Sequence, residues 1–365
     1  MSFSVILLAV ILCIVAGFLN GSFATPTKWM ERWREENIWL GYTVFCYLLL
    51  PVLSLMVMDS SIFSQISSVP SHFIWVLVLG GLAWGIGQVF FALAFKHIGL
   101  GVNFVINISM GTAGGALLPM LWTKGAIGST YSYIQLLGVV IFVMAVILTT
   151  AAGAARNKTS SGDDSSKGHA SVYLILGVLF AILAGVGSIA QGNSFAFSNP
   201  IISKTALENG ASLMPANTVA FALVFFGAFI PNFIFFMVKN IKSSSLHCFA
   251  APKTGKYWFY LFLMALGSWG SIVVFCKAQA VIGGDLAPTI AWPLFMAFII
   301  LTANFWSFMT GEWKGAGRKA ISLMSVSIVL LVSAVVVFGA NSMNKPATGQ
   351  QVVKVQTLKD SKPSA

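Results

Sequence analysis

The chain has 365 residues, of which 57% are hydrophobic and only 8% are Asp, Glu, Lys or Arg, with a formal net charge of +11. A soluble domain carries about a quarter charged residues, so this composition excludes a protein whose surface faces water throughout. The bases are spread over separate loops with no aromatic residues interleaved, so they read as topology determinants beside lipid, and no nucleic-acid partner is expected.

Ten apolar stretches follow one another, at residues 4–24, 38–58, 72–95, 101–122, 132–152, 172–197, 213–238, 257–276, 286–309 and 320–340. Only helices or closed barrels span lipid. Stretches of roughly 20 residues match helices crossing a bilayer, and the strict alternation of barrel strands is absent. The expected fold is therefore an all-α integral membrane protein of ten transmembrane helices. The first stretch has no positive charge before it and a basic cluster after it, the reverse of a secretory signal, so cleavage is not expected. Between the third and fourth stretches only residues 96–100 intervene, and Gly99 and Gly101 there favour a tight hairpin over one bent element.

Residues 157–170 are rich in Ser, Gly and Asp and read as a flexible linker, and residues 341–365 read as a disordered polar tail. The linker divides the chain into two five-helix repeats, at residues 1–156 and 171–340. Five is odd, so the second repeat enters the membrane inverted, a recurrent plan for secondary transporters with a midplane site. Weak echoes accompany it. Ser22-Phe23-Ala24 returns as Ser194-Phe195-Ala196, and Trp84-Gly85, Phe90 and Gly99 return 185 residues later as Trp269-Gly270, Phe275 and Gly284.

The odd-numbered connections hold fourteen Lys or Arg residues and the even-numbered ones hold three, Lys124, Lys204 and Lys277. The odd connections are thus expected in the cytoplasm, with both termini outside it. Cys13, Cys46, Cys248 and Cys276 show no paired spacing and read as small hydrophobes, so no metal or disulfide is expected.

Polar residues inside the stretches are mostly amides, hydroxyls and indoles. The third carries Trp84 and Gln88, the fourth Asn103 and Asn107, the sixth Gln191, the eighth Trp269, and the ninth Trp292 and Asn304. Trp84 with Gln88, and Asn103 with Asn107, are spaced i and i+4 and share a helical face. Amides avoid lipid, so these faces turn inward, either to bond neighbouring helices or to line a wet cavity. Residues 136–148 of the fifth stretch have no polar side chain, and the tenth carries only serines, so both read as peripheral. Amides match hydroxyl groups and indoles offer flat apolar faces; together they suit a neutral, polyhydroxylated molecule. All ten acids lie in loops, tails or span edges, which disfavours export of cations on a membrane carboxylate. Asp285, in the Gly283-Gly284-Asp285 turn, is the best-placed carboxylate for proton coupling and can pair with Lys277; a turn-capping role is its other reading. His72 and His97 read as interfacial. Nucleotide and catalytic motifs are absent, so the protein is expected to be no enzyme and to need no cofactor, transport being driven by a gradient.

Three segments carry a family resemblance. The first connection has Pro26, Lys28, Trp33, Glu35 and Trp39, with Pro51 beyond; the third stretch has Trp84-Gly85-Ile86-Gly87 and an amide, then Lys96 and Gly99. The ninth connection has Glu312-Trp313-Lys314-Gly315-Ala316-Gly317-Arg318-Lys319, with Ile290 and Trp292 upstream. The chain resembles the L-rhamnose–proton symporter family of the drug/metabolite transporter superfamily. The resemblance implies a bacterial inner-membrane carrier that imports a sugar with a proton. It implies four helices of each half around a central cavity, with the fifth and tenth outside. It also implies a carboxylate near the start of the ninth stretch, where this chain has Pro288, with Asp285 three residues earlier. On this reading Trp84, Trp269 and Trp292 stack on or gate the sugar, and Gln88, Asn103, Asn107, Gln191 and Asn304 bind hydroxyls. Asp285 carries the proton, and Glu312, Arg318 and Lys319 anchor the ninth connection. Partners are a small sugar (L-rhamnose or a related deoxy sugar), protons and the bilayer. Alternatives are a carrier of another small metabolite on the same fold, or a sensor that binds without translocating.

Overall fold

The computed structural model describes residues 3–122, 127–160, 167–282 and 286–342. Among them every regular element is helical. They comprise α1 (Phe3–Ser22), α2 (Glu35–Val44), α3 (Leu50–Met58), α4 (Ile62–Gln65), α5 (Ser71–Trp122), α6 (Thr130–Ser160), α7 (Lys167–Glu208), α8 (Leu213–Lys242), α9 (Gly255–Ala265), α10 (Ser271–Ile282), α11 (Leu286–Met309) and α12 (Arg318–Ser342). Among the described residues, eight apolar runs, from Leu7–Trp29 to Arg318–Val337, are long and apolar enough to cross a membrane by length and composition, and Leu294–Met309 is a shorter ninth. The chain is an all-α, multi-pass membrane protein. The described ends of α6 and α7 bracket residues 161–166, and these, like the tail from residue 343, lie outside the described residues.

The expected third and fourth stretches share one continuous helical run because a single residue, Gly99, separates them. Its φ of 77° and ψ of 179° fall where essentially only glycine goes. The chain reverses there. Asn103 Nδ2 donates to the carbonyl of Phe91, 12 residues back, at 2.9 Å; along a straight helix those residues stand about 18 Å apart. Phe91 and Phe104 face each other across the reversal at 5.2 Å between centroids. The tight hairpin expected at residues 96–101 is therefore present.

Two helices change pitch midway. A π-helical turn at Phe45–Leu49 joins α2 to α3, with the Leu50 N–H reaching back to the carbonyl of Phe45. Pro51 follows and has no N–H for the carbonyl of Tyr47, which loosens the α-helical ladder at this point. A second π-helical turn at Leu266–Gly270 joins α9 to α10 and contains two glycines. Such turns are rare and often mark functional positions.

Glycines set the helix crossings. A Cβ at Gly85 of α5 would lie 2.6 Å from Ala228 Cα of α8, one at Gly21 of α1 2.6 Å from the Ile299 carbonyl of α11, and one at Gly187 of α7 3.0 Å from Gly87 Cα of α5. These are small-residue contacts that let backbones approach, the driving geometry of helix association in lipid. α6 and α12 run antiparallel against each other: Ser327 Oγ donates to the Ala145 carbonyl at 2.9 Å, and Asn341 Nδ2 to the Tyr131 carbonyl at 2.8 Å. Thr149 and Ser327 also bond. Their shared core is separate from the main one, and Leu136, Leu137, Val140 and Ile147 point outward from α6.

Candidate functional site

The two π-helical turns meet near the centre of the bundle. Trp269, on the second turn, donates its indole N–H to Ser54 Oγ of α3 at 2.7 Å and is buried. Tyr47, on the first turn, is equally buried and lies 5.7 Å from Trp84 and 5.4 Å from Phe225 of α8. Phe225 in turn sits 5.1 Å from Trp84 and 5.1 Å from Trp269. The echoed tryptophans of the two halves thus both contact one phenylalanine. Tyr42 extends the cluster, 5.5 Å from Tyr47 and stacked on Phe23 at 5.4 Å.

One turn away on the same face of α8, Phe221 leads to a second aromatic wing. It packs on Phe195 at 4.1 Å and on Phe275 at 6.5 Å, and Phe275 holds Trp292 at 5.6 Å. Edge and tilted ring contacts of this kind add to apolar burial and fix ring orientation. Trp84 and Trp292 are half-buried, whereas Trp269 is closed in by its neighbours.

The amides divide into two groups. Gln88 and Gln191 are half-buried, and their side-chain amides have no hydrogen-bond partner among the described residues. Asn107 accepts from Ser188 Oγ at 2.7 Å, tying the second arm of α5 to α7. Asn103 and Asn304 are buried nearer the Gly99 end, each donating to a backbone carbonyl at 2.9 Å, and each keeping an Oδ1 with no partner. A Cβ on Gly101 would meet that Asn304 oxygen at 2.6 Å. Buried acceptors without donors are rare in native proteins and are positions where a ligand or water can be received. Asp285 lies outside the described residues.

The eight expected binding residues fall in several places. Trp84 and Trp269 meet through Phe225, Trp292 stands on a separate wing, and Asn103 and Asn304 lie toward one end. Tyr42, Tyr47, Ser54 and Phe225 belong to the same centre and were not expected from sequence. A signal for two of them existed: two phenols five residues apart in an otherwise apolar stretch just before a proline. Tyr42 lies in α2 and Tyr47 on the π-helical turn that follows it, and that turn, which brings them together, is not revealed by sequence periodicity. Flat apolar rings beside unpartnered amides can pack one face of a ring-shaped, hydroxylated molecule and bond its rim.

A family profile described as L-rhamnose-proton symport protein (RhaT) matches residues 1–343. Among curated relatives, a protein named L-rhamnose-proton symporter from Cronobacter sakazakii is 23% identical over 336 residues, covering 87% of this chain and 92% of that protein. Proteins of the same name from Citrobacter koseri and Escherichia coli are 22% identical over 325 residues and 21% over 340. These two alignments cover 87% and 88% of this chain, and 92% and 94% of the respective relatives.

Proposed function

The chain belongs to the L-rhamnose-proton symport protein family, and on that premise we propose that it imports L-rhamnose or a related deoxy sugar with protons. It is a carrier and not an enzyme. The observation that carries this reading is the extent of the family match, residues 1–343, which leaves out only part of the polar tail. In this reading it works by alternating access in a bacterial inner membrane, with the odd connections in the cytoplasm and both termini outside.

The finer architecture proposed is ten spans in two inverted repeats, residues 1–156 and 171–340, joined by the linker at 157–170 and followed by the tail at 341–365. The reversal at Gly99 supports the count, because it divides α5 into two antiparallel arms. The echoes support the repeat. Phe23 stacks on Tyr42 of the second stretch, and Phe195 packs at a tilt against Phe221 of the seventh. The sugar packs on Trp84 and Trp292 with Trp269 behind, and Gln88, Asn107 and Gln191 bind its hydroxyls. Asn103 and Asn304 offer acceptors deeper in. Asp285 carries the proton.

Uptake of labelled L-rhamnose into proteoliposomes tests the reading. An inward proton gradient should drive accumulation, and a protonophore should abolish it while leaving counterflow intact. Gln88→Ala and Asn107→Ala should each raise the half-saturating sugar concentration about tenfold. Accumulation that ignores the proton gradient removes the coupling, and absence of L-rhamnose counterflow removes the substrate. In Asp285→Asn, proton-driven uptake should fail while counterflow persists; unchanged pH dependence would take Asp285 out of the mechanism.

A further inference from the structure

Glu312 bonds two parts of the chain far from it in sequence, at Lys28 and Leu100, and one close to it, at Ser307. It lies in the connection between α11 and α12, and its side chain is only 12% exposed. The backbone N–H of Leu100, just past the reversal in α5, donates to both carboxylate oxygens at 3.0 Å. Ser307 Oγ donates to Oε2 at 2.6 Å. Lys28, from the connection between α1 and α2, donates to Oε1 at 2.5 Å and to Thr310 Oγ1 at 2.5 Å. α6 stands beside this cluster. Arg156 lies with its guanidinium 5.2 Å from the centre of the Trp313 ring and donates to the Ile98 carbonyl at 3.3 Å. Trp313 donates its indole N–H to Ser307 Oγ at 2.9 Å. Lys28 is ion-paired with the carboxylate, and Arg156 stands near it over Trp313.

Gly99 shows how closely the site is built. A Cβ there would stand 2.5 Å from Glu312 Oε2. The residue that permits the reversal also leaves room for the carboxylate that grips it. Charge-assisted bonds to a partly buried carboxylate are about twice as strong as neutral ones. Here all of them converge on one side chain.

We propose that Glu312 is a positioning residue for transport: it is the latch that holds the bundle shut at the end bearing the first, third and ninth connections. Each segment it holds belongs to a different helical hairpin, and Lys28 and Leu100 precede the linker while Ser307 and Glu312 follow it. Opening this end separates these groups and exposes the carboxylate and Lys28 to water, where each is well solvated singly. A single ionic centre of this kind is reversible in a way that a broad apolar seal is not. The transport role of the latch rests on the alternating-access reading above; its contacts do not.

The test uses a reporter cysteine introduced by Asn103→Cys, one turn inward from Leu100 at a fully buried position. A membrane-impermeant maleimide is applied to either face of the full-length protein in oriented vesicles. Labelling of the four buried native cysteines is subtracted with the unsubstituted chain. Glu312→Gln keeps the shape but loses the charge and one acceptor, and Lys28→Met removes the partner. Either variant should raise labelling from the latch end at least about tenfold and leave labelling from the opposite end equal or lower. The double variant should add little to either single one, as expected of one shared interaction. Unchanged labelling from the latch end in Lys28→Met overturns the proposal, and so does an equal rise from both ends. If Glu312→Gln fails to elute as a folded carrier, Lys28→Met and Glu312→Asp decide, the latter restoring slow labelling in part. Counterflow of L-rhamnose by the unsubstituted protein is scored separately: its absence removes the sugar reading and leaves the labelling result standing.

Discussion

The first connection of the chain grips two neighbours with two different chemistries. Toward the seventh connection it uses mainly buried neutral groups, with Arg32 and Arg34 adding exposed bonds to the carbonyls of Pro252 and Ser243. Asn37 Nδ2 donates to Asn240 Oδ1 at 2.7 Å and to the Ser245 carbonyl at 2.9 Å, and Asn240 Nδ2 donates to the Glu36 carbonyl at 2.7 Å. Trp33 is boxed in by Phe249 at 4.9 Å, Trp258 at 5.3 Å and Tyr257 at 5.4 Å. Glu36 joins in, accepting from Ser243 Oγ at 2.7 Å, but its ion pair with Lys239 is longer, at 3.6 Å. Toward the ninth connection the same segment sends Lys28 to Glu312. The first junction is spread over many buried partners, so no single charge controls it. The second depends on one carboxylate. The proposed latch is the ionic junction; the amide junction is the more distributed of the two.

The comparison can be broken most forcefully at Asn240. It is fully buried and uses its amide in both directions, donating to the Glu36 and Phe236 carbonyls and accepting from Asn37 and Ser245. Asn240→Ala should cost about 3 kcal/mol by stranding buried partners, read as a large fall in melting temperature in detergent. A melting temperature within error of the unsubstituted protein would mean that the amide junction is not the structural one.

Gly99→Ala comes next. The backbone conformation alone costs a non-glycine residue about 1–3 kcal/mol, and the added carbon collides with Glu312. Its stability loss should be accompanied by the same one-sided rise in labelling as Glu312→Gln. A loss of stability with no change in labelling would separate the reversal from the latch.

The smallest effect sharpens the contrast from the other end of the bundle. Asp59 caps the second connection, accepting from Ser61 Oγ at 2.6 Å and from the Ser61 N–H at 3.0 Å. The Ser61 hydroxyl holds its carboxyl below the ordinary value, slight desolvation opposing, with the Ser61 N–H adding to the effect. A carboxyl lowered in the folded state stabilises above its unfolded value of about 4 and loses that effect as pH falls through the folded value. Asp59→Asn should therefore melt slightly lower than the unsubstituted protein at pH 7, and the two should converge near pH 3. A difference that persists undiminished at low pH would show that the charge is not its source.

Several features were legible before any coordinates. The apolar stretches, the two basic-rich and basic-poor sets of connections, and the tight turn at residues 96–101 all follow from local composition. So does the placing of α6 and α12 apart from the aromatic centre, since residues 136–148 have nothing polar to bury. The site was legible only in its parts. Trp84 and Trp269 stood out as an echo, yet the phenylalanine that joins them lies in a stretch crowded with phenylalanines, where nothing distinguishes Phe225. The π-helical turns break the 3.6-residue period on which face assignments rest. The five-residue spacing of Tyr42 and Tyr47 therefore did not show that they meet.

The amino-acid sequence by itself determined that this chain is a helical membrane protein, because hydropathy and helix length are properties of single segments answering to the thickness of the bilayer. It also determined which side chains are polar enough to turn away from lipid. Only the tertiary structure decided which of them meet. Lys28 and Glu312 are 284 residues apart and Leu100 and Glu312 are 212 apart. Glycine contacts set those distances by fixing how closely the helices cross. Crossing geometry depends on both helices at once, so neither stretch carries it alone.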